Sequence, residues 1–290
     1  MPNGIIIIDK PSDWTSMDVC AKLRGILREK KIGHAGTLDP MATGVLPVFV
    51  GSATRAVEFA EQGDKEYIAT LRLGLVTNTQ DTTGETLEEH PVTVSRADLE
   101  AVLPRFTGEI DQIPPMFSAI KINGKKLYEL ARSGKEVERK ARRITIREIE
   151  LLEQLSECEY TIRIRCSKGT YIRTLCHDIG AALGCGGCMA TLRRTMAAGF
   201  TIAEAVTMET VQEQGEALLR PTEDYFREHE VYTLKTSRQE HLCRNGNAFT
   251  VKEPLAEGAL YRVRSIEGEF LALSRYEKGT LTSVKNFFGK

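Results

Sequence analysis

The stretch Gly33–Pro47, GHAGTLDPMATGVLP, gathers the residue types from which a reactive carboxylate is made. Its three glycines and two prolines argue against a helix, and Pro40 confines the residue before it, Asp39, to an extended backbone. Thr37 and Thr43 are placed to hydrogen-bond the loop to itself. A stiff loop that presents one acid between apolar flanks suits a nucleophile or a general base. Asp-Pro is also plain turn chemistry, so Asp39 as a turn cap is the competing reading. By position alone, Tyr67 reads as a core tyrosine at the start of a strand, Arg173 as a solvated helix arginine, His34 as a loop histidine and Leu192 as core. Cys185-Gly186-Gly187-Cys188 has the spacing of half a zinc site. A structural zinc needs four ligands, and no second pair stands at suitable spacing, so no metal is expected.

The elements that must hold these residues follow from pattern. Gly4–Ile8 reads as a strand, and Thr15 and Ser16 cap a helix running to about Lys30 with Val19, Leu23, Ile26 and Leu27 on one stripe. The loop ends in the apolar run Val45–Val50. Tyr67–Leu73 alternates as a strand, with Tyr67, Ala69, Leu71 and Leu73 on one side. Ser95 caps a helix carrying Leu99, Val102 and Leu103. Phe117–Ile122 reads as a strand closed by an Asn123-Gly124 turn, followed by a helix over 126–133 that Gly134 ends. Ile144–Leu152 and Tyr160–Cys166 read as paired strands, and Thr170–Leu183 and Thr207–Leu218 as helices. Strands and helices do not alternate regularly, and hairpin signals recur. That predicts an α+β fold with a mixed, largely antiparallel central sheet. From about Val231 onward, Tyr261–Arg264, Phe270–Leu273 and Leu281–Val284 read as strands of a small C-terminal β domain.

Composition sets outer bounds. The chain has 290 residues, 41% hydrophobic and 27% charged, with net charge −1. No apolar run approaches the roughly 18 residues of a membrane span, so no membrane association is expected. Seven cysteines in a chain of this size read as reduced thiols, which points to the cytoplasm. Charge is unevenly spread: Lys121–Arg143 holds nine Lys/Arg against three Glu, and Val76–Gln112 holds eight acids against two Arg. Such polarity permits a basic face for an anionic partner without requiring one. Asp81 and Glu85, in the acidic stretch, read as a solvated loop. No exposed apolar stripe asks for a partner, so a monomer is expected.

HAGTLDPMATGVLP with Lys65-Glu66-Tyr67 downstream resembles the active-site signature of the TruB family of tRNA pseudouridine-55 synthases. Other stretches match in order: DKPSDWTS (Asp9–Ser16), FSAIKINGKKLYELARSG (Phe117–Gly134), CSKGTYIRTL (Cys166–Leu175) and Leu192-Arg193-Arg194. The resemblance runs in register over nearly all of residues 4–200. It implies a pseudouridine synthase catalytic domain over 1–225, with an RNA-gripping insertion around 121–143, and a PUA-like RNA-binding domain over 226–290. It implies isomerisation of uridine 55 in the T loop of tRNA, without cofactor and without an obligate protein partner. Asp39 matches the carboxylate that attacks the uridine, and Tyr67 the tyrosine that stacks under the flipped base. Arg173 matches the arginine that pairs with the aspartate, and its charge favours an ionised acid beside it. Tyr171 and Leu192 match residues lining the base pocket, and His34 one that contacts the substrate loop. Arg55 stands where a basic residue commonly meets RNA. Lys125, Lys126, Arg142 and Arg143 are expected to bind backbone phosphates, and the C-terminal domain to reach the acceptor stem. Asp13 replaces the glycine usual in the first turn, where Asp tolerates a left-handed backbone.

Other functions fit less well. An RNA-folding protein with secondary catalysis is the main alternative, but a pure binder has no need of the Asp39, Tyr67 and Arg173 set. A glycoside hydrolase needs two flanking carboxylates, and no second acid stands in the Asp39 loop. A synthase working with a guide RNA in a larger particle would be expected to carry long charged tails.

Overall fold

The computed structural model describes residues 1–122 and 124–288, so the Asn123 half of the Asn123-Gly124 turn lies outside the described residues. The first strand, β1 (Gly4–Lys10), is apolar on both faces because both are covered. Ile6 and Ile8 pack with Val19, Leu23 and Leu27 of α1 (Ser16–Leu27). Ile5 and Ile7 face the other way, into a cluster that holds Phe49, Phe226, Leu273 and Phe287. Asp13 does adopt a left-handed backbone, with φ 65°. Helix α1 opens with a reciprocal cap between Thr15 and Asp18. It ends at Leu27 rather than near Lys30, because Arg28 turns left-handed (φ 52°) and sends the chain into β2 (Ile32–His34).

Strands β3 (Thr43–Val50) and β4 (Lys65–Leu73) follow, separated by the short α2 (Val57–Ala60). A small ribbon of β5 (Leu75–Thr77) and β6 (Thr86–Glu89) precedes α3 (Arg96–Val102), capped by Ser95 as expected. Then come β7 (Gly108–Gln112), β8 (Lys121–Ile122), β9 (Lys125–Lys126) and α4 (Leu127–Arg132). The expected strand over Phe117–Ile122 shrinks to β8, because the backbone before it is committed elsewhere. Phe117 O accepts from Arg173, Ser118 O from Tyr128 N and Ile120 O from Leu127 N. Strands β10 (Arg142–Gln154) and β11 (Glu159–Cys166) form the expected antiparallel pair.

Helix α5 (Ile172–Ala182) leads into β12 (Gly187–Ala197), a strand that the pattern did not announce. It is central nonetheless. The main sheet runs β1-β3-β12-β4-β11-β10-β7, with β2 on β3 and β13 (Phe200–Thr201) on β12. All its pairings are antiparallel except β12 with β3, which gives the mixed, largely antiparallel sheet expected. Register shifts at Met189/Thr191 and Arg194/Met196 break the alternation of β12 and hide it from a period-2 reading. Helix α6 (Met208–Gln214) then covers β1, with Met208 and Val211 joining the α1 cluster. Among the described residues no helix is long and apolar enough to cross a membrane.

A second sheet, ordered β14-β16-β17-β18-β15, comprises β14 (Glu230–Thr233), β15 (Phe249–Thr250), β16 (Leu260–Arg264), β17 (Phe270–Glu277) and β18 (Thr280–Asn286). It also carries α7 (Ser237–Arg244), capped by Thr236, where strands alone were expected. Arg262 and Arg264 both reach Glu223, at 3.2 and 2.9 Å. Together with the Phe226–Phe287 contact, these bonds fasten the second sheet to the first body.

Helix α5 can lie close to β12 only because Gly180 has no side chain. A Cβ there would sit 2.3 Å from Gly186 C and Gly187 N, backbone atoms that cannot swing aside. Gly180→Ala is expected to cost about 3 kcal/mol of stability. The measurement is a urea melt: a lower midpoint at unchanged slope is expected. An unchanged midpoint would mean the helix does not depend on this approach.

Candidate active site

The loop that carries Asp39 leaves β2 at His34 and enters β3 at Thr43, and it is held from outside. Ser16 Oγ accepts from Leu38 N at 2.9 Å and donates to Leu38 O at 3.3 Å. The buried Lys10 ammonium donates to Pro11 O, Trp14 O and Pro40 O at 2.7, 2.6 and 3.1 Å. Burial lowers that ammonium to about 8, against the pull of Asp13 and Asp39. Arg194 donates to Gly36 O and Val45 O at 3.0 and 2.7 Å. The expectation that Thr37 and Thr43 tie the loop to itself is corrected. Thr37 is exposed, and Thr43 Oγ1 instead accepts from Arg193 at 3.3 Å.

Asp39 therefore stands on a braced turn, its side chain 41% exposed, and Arg173 Nε meets its Oδ2 at 2.9 Å. Arg173 comes from the first turn of α5 and is only 7% exposed itself. The solvated-helix reading of Arg173 is thereby excluded. Its remaining donors go to Thr79 O and Phe117 O, at 3.0 and 2.9 Å. Tyr67, at 7% exposure, lies beside Arg194, and burial pushes its phenol up to about 12. Leu192 joins the same cluster as Tyr67, Leu38 and Ala42. Tyr171 precedes α5, near Asp39, Arg173 and Ser118, and burial raises its phenol too. The Gln112 amide pins its backbone as a strand partner would, accepting from Tyr171 N at 2.8 Å and donating to Tyr171 O at 3.0 Å. His34 is mostly buried, and desolvation followed by the charge of Arg194 keeps it below the usual histidine range, hence neutral at neutral pH.

The profile of the TruB family pseudouridylate synthase N-terminal domain matches residues 24–172, and that of the tRNA pseudouridylate synthase B C-terminal domain matches 173–229. The chain belongs to the TruB family. A Francisella tularensis subsp. tularensis protein named tRNA pseudouridine synthase B is 42% identical over 98% of this chain and 95% of its own length. A Pseudomonas putida protein of the same name is 51% identical over 73% of this chain and 69% of its own. Among solved structures, a chain in the crystal structure of a Cbf5-Nop10-Gar1 complex superposes with a TM-score of 0.74 at 27% identity, covering 99% of this chain and 85% of that one.

Within this TruB-family chain, Asp39, Tyr67, Tyr171, Arg173 and Leu192 gather at one place, with His34 beside them across Arg194. Arg55 is not among them. Its Nη1 donates to Asn286 O and Phe288 O at 3.0 and 2.9 Å, so its guanidinium grips the end of the second sheet. Lys125, Lys126 and Arg143 lie apart on β9 and the start of β10, whereas Arg142, opposite Gln112, is near enough for its charge to reach Tyr171. Lys126 contacts the Tyr128 hydroxyl at 3.2 Å, and Arg143 pairs with Glu109 and Asp111 in an exposed cluster. Cys185 and Cys188 are buried free thiols, Cys188 within β12 and Cys185 in the turn before it, where Cys185 Sγ donates to Gly186 O at 3.5 Å.

Sequence reasoning missed Asp81. It was read as a solvated acid, yet it is 5% exposed and faces Arg173 at 3.7 Å. Its Oδ1 accepts from Thr79 Oγ1, Thr83 N and Thr83 Oγ1, at 2.8, 3.0 and 2.6 Å. The neighbouring threonines were the available signal, since a solvated carboxylate has no use for hydroxyls on both sides. Glu85 alone fits the solvated reading. Asp81→Asn keeps the shape and removes the second charge on Arg173. Pseudouridylation in a single turnover is expected to slow at least tenfold, with RNA affinity within about twofold. A wild-type rate would show that Arg173 needs no second acid.

Proposed function

We propose that the chain converts uridine 55 in the T loop of tRNA to pseudouridine, with Asp39 as the attacking carboxylate. The observation that carries this is the 2.9 Å pair between a half-exposed Asp39 and a buried Arg173, set beside two tyrosines. The names of the relatives support tRNA as the substrate.

A uridine stacked in a folded T loop hides both C1′ and C6, so it must leave the stack first. Tyr67 and Tyr171 offer ring faces in exchange, worth about 1–3 kcal/mol per base. Asp39 attacks, the N1–C1′ bond breaks, the base turns, C5 bonds to C1′, and the bond to Asp39 breaks to return the carboxylate. The proton on C5 leaves and N1 regains one, so the reaction is a pure isomerisation with no electrons to supply. Arg173 holds the carboxylate in one orientation through each step. Leu192 closes the apolar side of the pocket, and His34 contacts the substrate loop as a neutral imidazole. Residues 226–290 extend the RNA-binding surface toward the acceptor stem.

The deciding experiment is tritium release from T-arm RNA labelled at uridine C5. Wild type is expected to release it and Asp39→Asn to release none while still binding RNA. Binding without release from either would favour the RNA-folding reading.

Lys125, Lys126, Arg142 and Arg143 lead into and out of the segment 121–143, and we assign them to backbone phosphates. Neutralising all four is expected to weaken RNA binding and to make log K against log salt shallower by about 2 to 3. An unchanged slope would remove these residues from the interface.

A further inference from the structure

Arg194 is the largest fully buried side chain of the described residues, 0% exposed. Among those residues it has no carboxylate within ion-pair distance. A guanidinium stripped of water and left without an acid is costly, so its position calls for an account. It lies on β12 between two strands, opposite Tyr67 of β4 on one side and Gly44 of β3 on the other. Its backbone packs so tightly there that a Cβ on Gly44 would lie 2.2 Å from Arg194 O. Its side chain then reaches the Asp39 loop twice. Nη2 donates to Gly36 O and Nε to Val45 O, one bond on each side of Asp39 in sequence. A Cβ on Gly36 would lie 3.3 Å from Nη1. Nη1 is buried and has no hydrogen-bond acceptor among the described residues. The Tyr67 hydroxyl stands beside this guanidinium and also senses Asp39.

We propose that Arg194 is a positioning residue for the reaction, fixing the loop that presents Asp39. A guanidinium has donors and no acceptor. Its two bonds to the loop therefore run from Arg194 to backbone carbonyls, Gly36 O and Val45 O. The charge of Arg194 is felt by His34, Lys65 and Lys10, so the loop rests on a cationic floor. This inference rests on the proposed role of Asp39 and adds the group that positions its loop.

The test uses Arg194→Lys and Arg194→Met in the full chain, with thermal melts, T-arm RNA affinity and the single-turnover rate. Lysine keeps the charge but has one nitrogen in place of the Nε and Nη2 that reach Val45 O and Gly36 O. Expected for Arg194→Lys is a folded protein, affinity within about threefold, and a rate lowered roughly 100-fold, as displacement of an aligned group by about an ångström produces. Arg194→Met is expected to be slower still at similar affinity. A folded Arg194→Lys with a rate within about threefold of wild type would overturn the proposal. So would rate and affinity falling together, or both variants failing to fold, since either assigns Arg194 to stability alone. Asp39→Asn runs alongside in the same assay. If it stays active, the proposed function has failed; if it is dead while Arg194→Lys is fast, only this inference has.

Discussion

Arg173 is nearly removed from water, and three stretches of chain bring it four acceptors. The Asp39 loop, the Asp81 turn, the Thr79 carbonyl and the Phe117 carbonyl each supply an acceptor. A buried guanidinium without partners is intolerable, and its planar fork accepts them only in fixed directions. Its neutralisation and the site's assembly are therefore one event. The acidic segment supplies the second charge, the stretch leading into the basic segment supplies a carbonyl, and the Asp39 loop completes the set. A change in any of these stretches is transmitted to the Asp39 carboxylate through one rigid group.

The same economy appears at Tyr171. Helix α5 begins immediately after it, so the backbone there cannot join a strand ladder. Gln112 supplies the missing ladder from its side chain. The residue sits at the end of β7, opposite Arg142 across the β10 pairing. The pocket wall and the root of the basic insertion thus share one amide.

Much of this was legible in the sequence, and what was not has physical causes. The Gly- and Pro-rich stretch declared itself as a braced turn through residue types with few conformations, and alternation declared β4. Strand β12 was hidden because two bulges destroy its period, although it carries Leu192 and Arg194. Asp81 was misread because a string of acids reads as solvent whatever one of them faces. Arg55 lies in a short 3-10 turn, and nothing local says that its acceptors lie some 230 residues later. The threonines of the loop were credited with bracing that Lys10, Ser16 and Arg194 perform from other elements. Local chemistry shows what a segment can do; which partner it finds is decided by the sheet.

Strand order also fixes a timetable. Strands β3 and β4 are neighbours in sequence, yet β12 lies between them, and it is made more than a hundred residues later. The two early strands cannot settle against each other as the chain emerges from the ribosome; they must keep a slot open. The apolar residues of β1 and β3 that face the second sheet wait longer still, for residues 270–287. Such long-range closure slows folding and leaves sticky surface uncovered in the meantime. It also delays competence: a nascent chain cannot offer a finished pocket until β12, which carries Leu192 and Arg194, has entered the slot between β3 and β4.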